Sequence, residues 1–280
     1  MNLYEWIKNR RSFLPEAKIR GYIFQLLKAI EHSHSNGIFH RDIKPENVLL
    51  SGEKLKLADL GSCKSMNSRH PYTEYISTRW YRSPECLLTD GYYGAKMDLW
   101  GVGCVLFEVI ALQPLFPGKN ELDQIRRIHN ILGTPNQEKF QDFQKHATHM
   151  EIKFPHKEGT GIDSLIPHAS EQCRDLIKKL LIYDEEGRIT AIAALNHPYF
   201  KDIKEENSVM SVTPTITDSD FAAGDKEHKT HKKMFPVISK PVKNMSFSKI
   251  TLTMDKSIGK NLPNIKQSSP YAKKTVFKGY

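Results

Sequence analysis

Residues 40 to 47, His40-Arg41-Asp42-Ile43-Lys44-Pro45-Glu46-Asn47, place a carboxylate, an ammonium group and a side-chain amide within one short stretch, and a second carboxylate, Asp59, follows soon after. These residue types suit phosphoryl transfer. That reaction needs a carboxylate beside the acceptor hydroxyl, cations against the charge on the γ-phosphate, and hard oxygen ligands for Mg²⁺ between the phosphates. Asp42 can accept or orient the hydroxyl proton, Lys44 can reach the γ-phosphate, and Asn47 and Asp59 offer the oxygen ligands. Any one of the four is also at home in a solvated turn; the ordered combination carries the chemistry.

The elements that must position these groups follow from periodicity. Pro15 suits a helix start, and Ile19, Ile23, Leu26, Leu27 and Ile30 repeat on one helical face until Asn36-Gly37 stops the run. After Asn47, the run Val48-Leu49-Leu50, the Ser51-Gly52 turn and the alternation of Leu55 and Leu57 predict a β-hairpin. Asp42 and Asn47 therefore belong to a loop before the hairpin, and Asp59 lies just behind it. Residues 62–94 are polar and lack a sustained period, which predicts a long functional loop. A mostly apolar helix is expected from Ala95 to Leu112. Leu122, Ile125, Ile128 and Leu132 form a further stripe, ended by Gly133 and Pro135, and irregular chain runs from there to about residue 168. Ser170 caps a helix expected to reach Tyr183, and Thr190 caps another that closes at His197-Pro198. The fold class is mainly α, a helical bundle with short β-hairpins.

Composition sets the domain plan. The chain has 280 residues, 39% of them hydrophobic, enough for one well-buried domain with an appendage. Residues 204–280 are rich in Lys, Ser, Thr and Asn with single scattered hydrophobes, too few to offset the entropy of folding, so a domain over 1–203 and a basic disordered tail over 204–280 are expected. From Lys226 onward, 13 Lys face only Glu227 and Asp255. The body is consequently near neutral, and a nucleic-acid partner is disfavoured because the charge sits on the tail. The segment 232–240, KKMFPVISK, has the basic-then-hydrophobic form of a docking peptide, although Lys-rich tails produce such strings readily. Cys63, Cys86, Cys104 and Cys173 form no C-x-x-C pair, and His32 and His34 diverge on their helix toward the surface, so no zinc site is suggested. The N-terminus lacks a signal-peptide core and no segment is long enough for a membrane span, which implies a reducing, cytoplasmic setting.

The motifs resemble those of the eukaryotic protein kinases. Residues 40–47 match the catalytic loop H-R-D-x-K-x-x-N, Asp59-Leu60-Gly61 stands where that family has D-F-G, and Ser83-Pro84-Glu85 where it has A-P-E. Asp98, Trp100 and Gly103 resemble the D-x-W-x-x-G helix that supports the catalytic loop, and Arg188 the arginine that pairs with Glu85. Thr73-Glu74-Tyr75, followed by 76–85, and the Ile131–Pro135 stretch are similar to the CMGC group, in its MAK/MOK branch beside the mitogen-activated kinases. The resemblance implies the large kinase lobe over residues 1–200, and a serine/threonine kinase using ATP and Mg²⁺ on protein substrates. Asn47 and Asp59 would hold the metal. Lys44, Glu46, Asn47, Leu49, Ala58 and Asp59 would contact the cofactor, with Leu49 as the floor under adenine. Thr78 would bridge Asp42 and Lys44.

The resemblance also implies a switch. Phosphate added to Thr73 or Tyr75 by an upstream activating kinase would order the loop by pairing with arginines, Arg41 for Thr73 and Arg79 and Arg82 for Tyr75. A monomer is expected, cytoplasmic, with nucleus or cilium open by family. Two positions depart from the pattern, Leu60 for Phe and Ser83 for Ala. The family's Gly-rich loop and its strand lysine, which precede the catalytic loop, are not found here. Gly101-Val102-Gly103, a G-x-G string without the third glycine, lies in an apolar helix, where close packing is the better reading. The small lobe is thus expected to be absent, and the chain by itself to turn over negligibly; the alternative is an inactive large lobe that serves as a binding or scaffold module.

Overall fold

The computed structural model describes residues 1–72, 78–147 and 153–203. Thr73, Tyr75 and the basic tail lie outside the described residues.

The chain opens with α1 (Leu3–Lys8), started by a capping box in which Asn2 accepts from the Glu5 amide at 2.8 Å and Glu5 accepts from the Asn2 amide. Pro15 then begins α2 (Glu16–Ser35), as its preset φ favours. The predicted apolar face is the buried one: Ile19, Ile23, Leu26, Leu27 and Ile30, joined by Tyr22. Gly37, at φ 72, turns the chain out of the helix into β1 (Ile38–Phe39). The loop of residues 40–47 ends in a short 3₁₀ turn, Pro45–Asn47, and runs directly into the hairpin of β2 (Val48–Ser51) and β3 (Lys54–Leu57). Its antiparallel register pairs Val48 with Leu57 and Leu50 with Leu55.

The centre of the molecule is α4 (Met97–Ala111), in which every residue from Met97 to Ile110 is buried. A helix buried on every face and mostly apolar belongs inside a core. Against it pack α2 and α7 (Glu171–Leu180), and the core extends to Ile125 and Ile128 of α5 (Glu121–Leu132). Ser170 and Thr190 cap α7 and α8 (Ala191–Leu195) through their hydroxyls, as expected. A second, smaller apolar cluster gathers Phe39, Tyr72, Cys86, Tyr93 and Met97. Among the described residues no helix is long and apolar enough to cross a membrane.

Several expectations need correction. The stretch 62–94 is not one loop: it holds β4 (Lys64–Ser65), which pairs with β1, a 3₁₀ turn at Arg79–Tyr81 and α3 (Pro84–Leu88). The strand is two residues long and made by a distant partner, so no local period announces it. Residues 133–168 contain α6 (Gln137–Gln144), capped by Asn136 and held by just two buried aromatics, Phe140 and Phe143. The helix expected to reach Tyr183 stops at Leu180, and Leu122 of the α5 stripe is exposed.

Candidate active site

The site is built on one buried carboxylate. Asp98, in the first turn of α4 and 1% exposed, accepts from the His40 amide at 2.7 Å and the Arg41 amide at 2.8 Å, one on each oxygen. Two charge-assisted bonds of this kind hold Arg41 at φ 70, a left-handed conformation that costs a non-glycine residue about 1–3 kcal/mol. The helix N-terminus adds its positive end beneath the carboxylate. His34 stands 2.9 Å from the same Asp98 oxygen, so the surface position expected for it is corrected: its ring braces the loop's anchor. His40 works from the other side. Its Nδ1 accepts from the Asp42 amide at 3.3 Å, which leaves the proton on Nε2, donated to the Ala58 carbonyl at 3.1 Å. The strand end before Asp59 is thereby tied to the loop that carries Asp42.

Two of the four candidate residues converge on the carboxylate of a third. Lys44 Nζ lies 2.8 Å from Asp42 Oδ2, and the Asn47 amide nitrogen donates to that same oxygen and to the Asp42 carbonyl, both at 2.9 Å. Asp42 and Asn47 are buried and Lys44 half-buried, so the ion pair is shielded from bulk water. Because the Asn47 nitrogen is turned to Asp42, its amide oxygen faces the opposite way. Asp59 is exposed, at φ 62, and its carboxylate accepts from the Gly61 amide at 3.3 Å. The Ala58 amide donates to the Asn47 carbonyl at 2.9 Å, which ties the chain just before Asp59 to Asn47. An amide oxygen and a carboxylate are hard donors that fit Mg²⁺, which commonly takes few protein ligands and completes its shell with water and phosphate.

The remaining predicted residues fall as follows. Leu49 points outward from β2 and is 44% exposed. Glu46 and Ala58 are half-buried, Glu46 in the turn beside Asn47. Thr78 opens the Arg79–Tyr81 turn, its carbonyl accepting from the Tyr81 amide at 3.2 Å. Arg41 donates to the Ser62 carbonyl at 2.6 Å and to Tyr93 at 3.2 Å; Arg79 donates to the Lys119 carbonyl, and Arg82 pairs with Glu121 at 3.2 Å. Glu85 and Arg188 form a fully buried bidentate pair at 2.7 and 2.9 Å. Burial works against the Arg188 charge, but Glu85 beside it prevails and holds the guanidinium pKa above its usual value.

Two buried contacts next to the site's loops escaped sequence reasoning. Tyr81 donates to Glu108 of α4 at 2.8 Å, and burial, partly opposed by that bond and reinforced by Glu46, raises the Glu108 pKa to about 7. Gln124 of α5, fully buried, clasps the loop 78–82 by donating to the Trp80 carbonyl and accepting from Gly118. A Glu within an apolar helix run was a visible signal for the first; nothing local marks the second.

The sequence model of the protein kinase domain matches residues 1–200. The chain belongs to the protein kinase family. It is a MAK/MOK-like kinase of the CMGC group. It is 55% identical over 202 residues to human MAPK/MAK/MRK overlapping kinase, covering 72% of this chain and 48% of that relative. Mouse serine/threonine-protein kinase ICK is 43% identical and human serine/threonine-protein kinase MAK 42% identical, each over 201 residues, 71% of this chain and 32% of the relative. The kinase chain thus spans about half or less of the length of these relatives.

Proposed function

We propose that the protein is a serine/threonine protein kinase that transfers the γ-phosphate of ATP to protein hydroxyls. One observation carries the reading: Lys44 and Asn47 both converge on Asp42, on a loop whose conformation Asp98 fixes. Asp42 would orient the acceptor hydroxyl and take its proton, and Lys44 would neutralise charge on the transferring phosphoryl oxygens. Asn47 and Asp59 would hold Mg²⁺, which when bound neutralises the phosphates. Leu49 would support the adenine ring. Thr78 would bridge Asp42 and Lys44, setting the side of the loop that meets the substrate. Phosphorylation at Thr73 and Tyr75 by an upstream kinase would switch the enzyme, read by Arg41, Arg79 and Arg82; Arg41 belongs to the loop that carries Asp42, while Arg79 and Arg82 reach Lys119 and Glu121.

A second reading, a binding module that keeps the substrate surfaces without turnover, is favoured by the exposure of Leu49 and Leu60, 44% and 68%, beside the residues that would hold the cofactor. One assay separates the two. With radiolabelled ATP, Mg²⁺ and a generic basic protein substrate, the kinase reading expects transfer that Asp42→Asn lowers by about 10²–10⁴-fold, the usual worth of general-base catalysis. Transfer insensitive to this substitution, or none, would sink it in favour of the module.

A further inference from the structure

A small seat, separate from the main core, holds the chain immediately before Thr73. Tyr72 is buried, its amide donates to the Gly91 carbonyl at 2.8 Å, and its ring lies 5.3 Å from Tyr93 and 5.5 Å from Phe39. Gly91 makes the approach possible. It sits at φ 84, and a Cβ there would meet the Tyr72 carbonyl oxygen at 2.1 Å and its nitrogen at 2.8 Å, both backbone atoms that cannot give way cheaply. The loop bearing Gly91 is itself fixed, since the Thr89 hydroxyl donates to the Glu85 carbonyl at 2.6 Å and accepts from the Tyr92 amide at 3.1 Å. His70 adds an outer layer, 4.3 Å from Tyr72 and stacked on Tyr92. On the opposite side, the Tyr93 hydroxyl accepts from Arg41, whose backbone is held by Asp98.

We propose that Gly91 and Tyr93 are positioning residues: Gly91 seats Tyr72, and Tyr93 connects that seat to Arg41 of the catalytic loop. Any event that unseats Tyr72 then loosens the loop carrying Asp42, which gives the neighbouring Thr73 and Tyr75 a mechanical route to the site. This last step rests on the switch reading above; the seat itself does not. Neither residue touches a reacting atom. Burial raises the Tyr93 pKa to about 12, so its hydroxyl keeps its proton and accepts from the Arg41 guanidinium as an uncharged group.

The test is amide hydrogen exchange on the full 280-residue chain, followed in peptides covering 66–72 and 38–44, with α7 as an internal control. Gly91→Ala is expected to speed exchange at Tyr72 by roughly tenfold or more and to speed exchange in 38–44 with it, while α7 is unchanged. Tyr93→Phe keeps the ring contacts and removes the bond to Arg41, so it should loosen 38–44 and leave 66–72 protected. A residue serving only general stability would move both regions and α7 together. If Gly91→Ala does not fold, Tyr72→Ala empties the seat from the other side and should likewise speed 38–44. The proposal is overturned if Tyr72 stays as slow in Gly91→Ala as in the parent, or if 38–44 responds to none of the three variants. Mass spectrometry of the chain purified from cells tests the switch separately: exchange as predicted, with Thr73 and Tyr75 never phosphorylated, keeps the seat and removes the switch.

Discussion

Asp98 and Glu108 lie on the same buried helix and hold opposite kinds of partner. Asp98 accepts two backbone amides and stands beside His34, so its charge is spent on the loop of residues 40–47. Asp98→Asn leaves one acceptor oxygen and turns an N–H₂ toward a backbone N–H. Urea unfolding should show a loss of about 2–4 kcal/mol, beyond the usual charged hydrogen bond because a buried donor is left unpaired. Glu108 meets one donor, Tyr81, and a like charge, Glu46, within the core. Its pKa is near 7 in the folded chain against about 4.5 when exposed. Between those values the unfolded carboxyl has lost its proton while the folded one keeps it, so rising pH across that window favours unfolding by up to ~1.4 kcal/mol per pH unit and the effect levels off above 7. Glu108→Gln keeps an acceptor for Tyr81 and has no charge to bury. Melts at pH 5 and pH 8 should differ less for this variant than for the parent, with the variant the more stable at pH 8.

Helix α4 does more than bury hydrophobes, because its two glycines are contact points between elements. A Cβ on Gly101 would stand 2.8 Å from Ile43 Cβ and 3.1 Å from its carbonyl oxygen, inside the loop of residues 40–47; one on Gly103 would stand 2.8 Å from Leu181, just past α7. The close-packing reading of this G-x-G string therefore holds. Gly101→Ala is expected to cost about 1–3 kcal/mol as an overpacked core substitution and, under the proposed function, to lower turnover by displacing Ile43 between Asp42 and Lys44. Thermal melting measures the first effect and radiolabelled phosphate transfer the second; full activity would show that the loop absorbs the methyl group. At this scale the long periodic helices α2 and α4 were legible in the sequence, as was the hairpin. The elements that were not, β4, α3 and α6, are short and owe their form to a strand partner, a Pro start or two aromatics against the core.

Across the whole molecule, the Glu85–Arg188 pair fastens the end of the 78–88 segment to the chain beyond α7. Arg188 also donates to the Ile182, Tyr183 and Lys96 carbonyls and lies over the Trp100 ring, so one side chain joins α3, α4 and the α7–α8 connection. Arg188→Met should destabilise the chain by about 3–5 kcal/mol, the usual result of leaving Glu85 buried without its cation. The double variant with Glu85→Gln should recover part of that loss, measured by urea unfolding, because the isolated charge is gone as well.

The sequence by itself determined which residues are candidates for the chemistry and in what order. Asp42, Lys44, Asn47 and Asp59 are identified by type and local spacing, and the hairpin between Asn47 and Asp59 by alternation, all short-range signals. Only the tertiary structure decided how they are held. Asp98 reaches the His40 and Arg41 amides from more than fifty residues away, His34 turns inward to meet it, and Gly91 receives Tyr72. Such contacts join residues distant in the chain through buried hydrogen bonds and close backbone approach, and these leave no periodicity behind. A carboxylate in an apolar helix reads the same whether it anchors a loop, as Asp98 does, or lies in the core with its pKa raised by burial, as Glu108 does. What separates the two is the set of donors that folding brings to each.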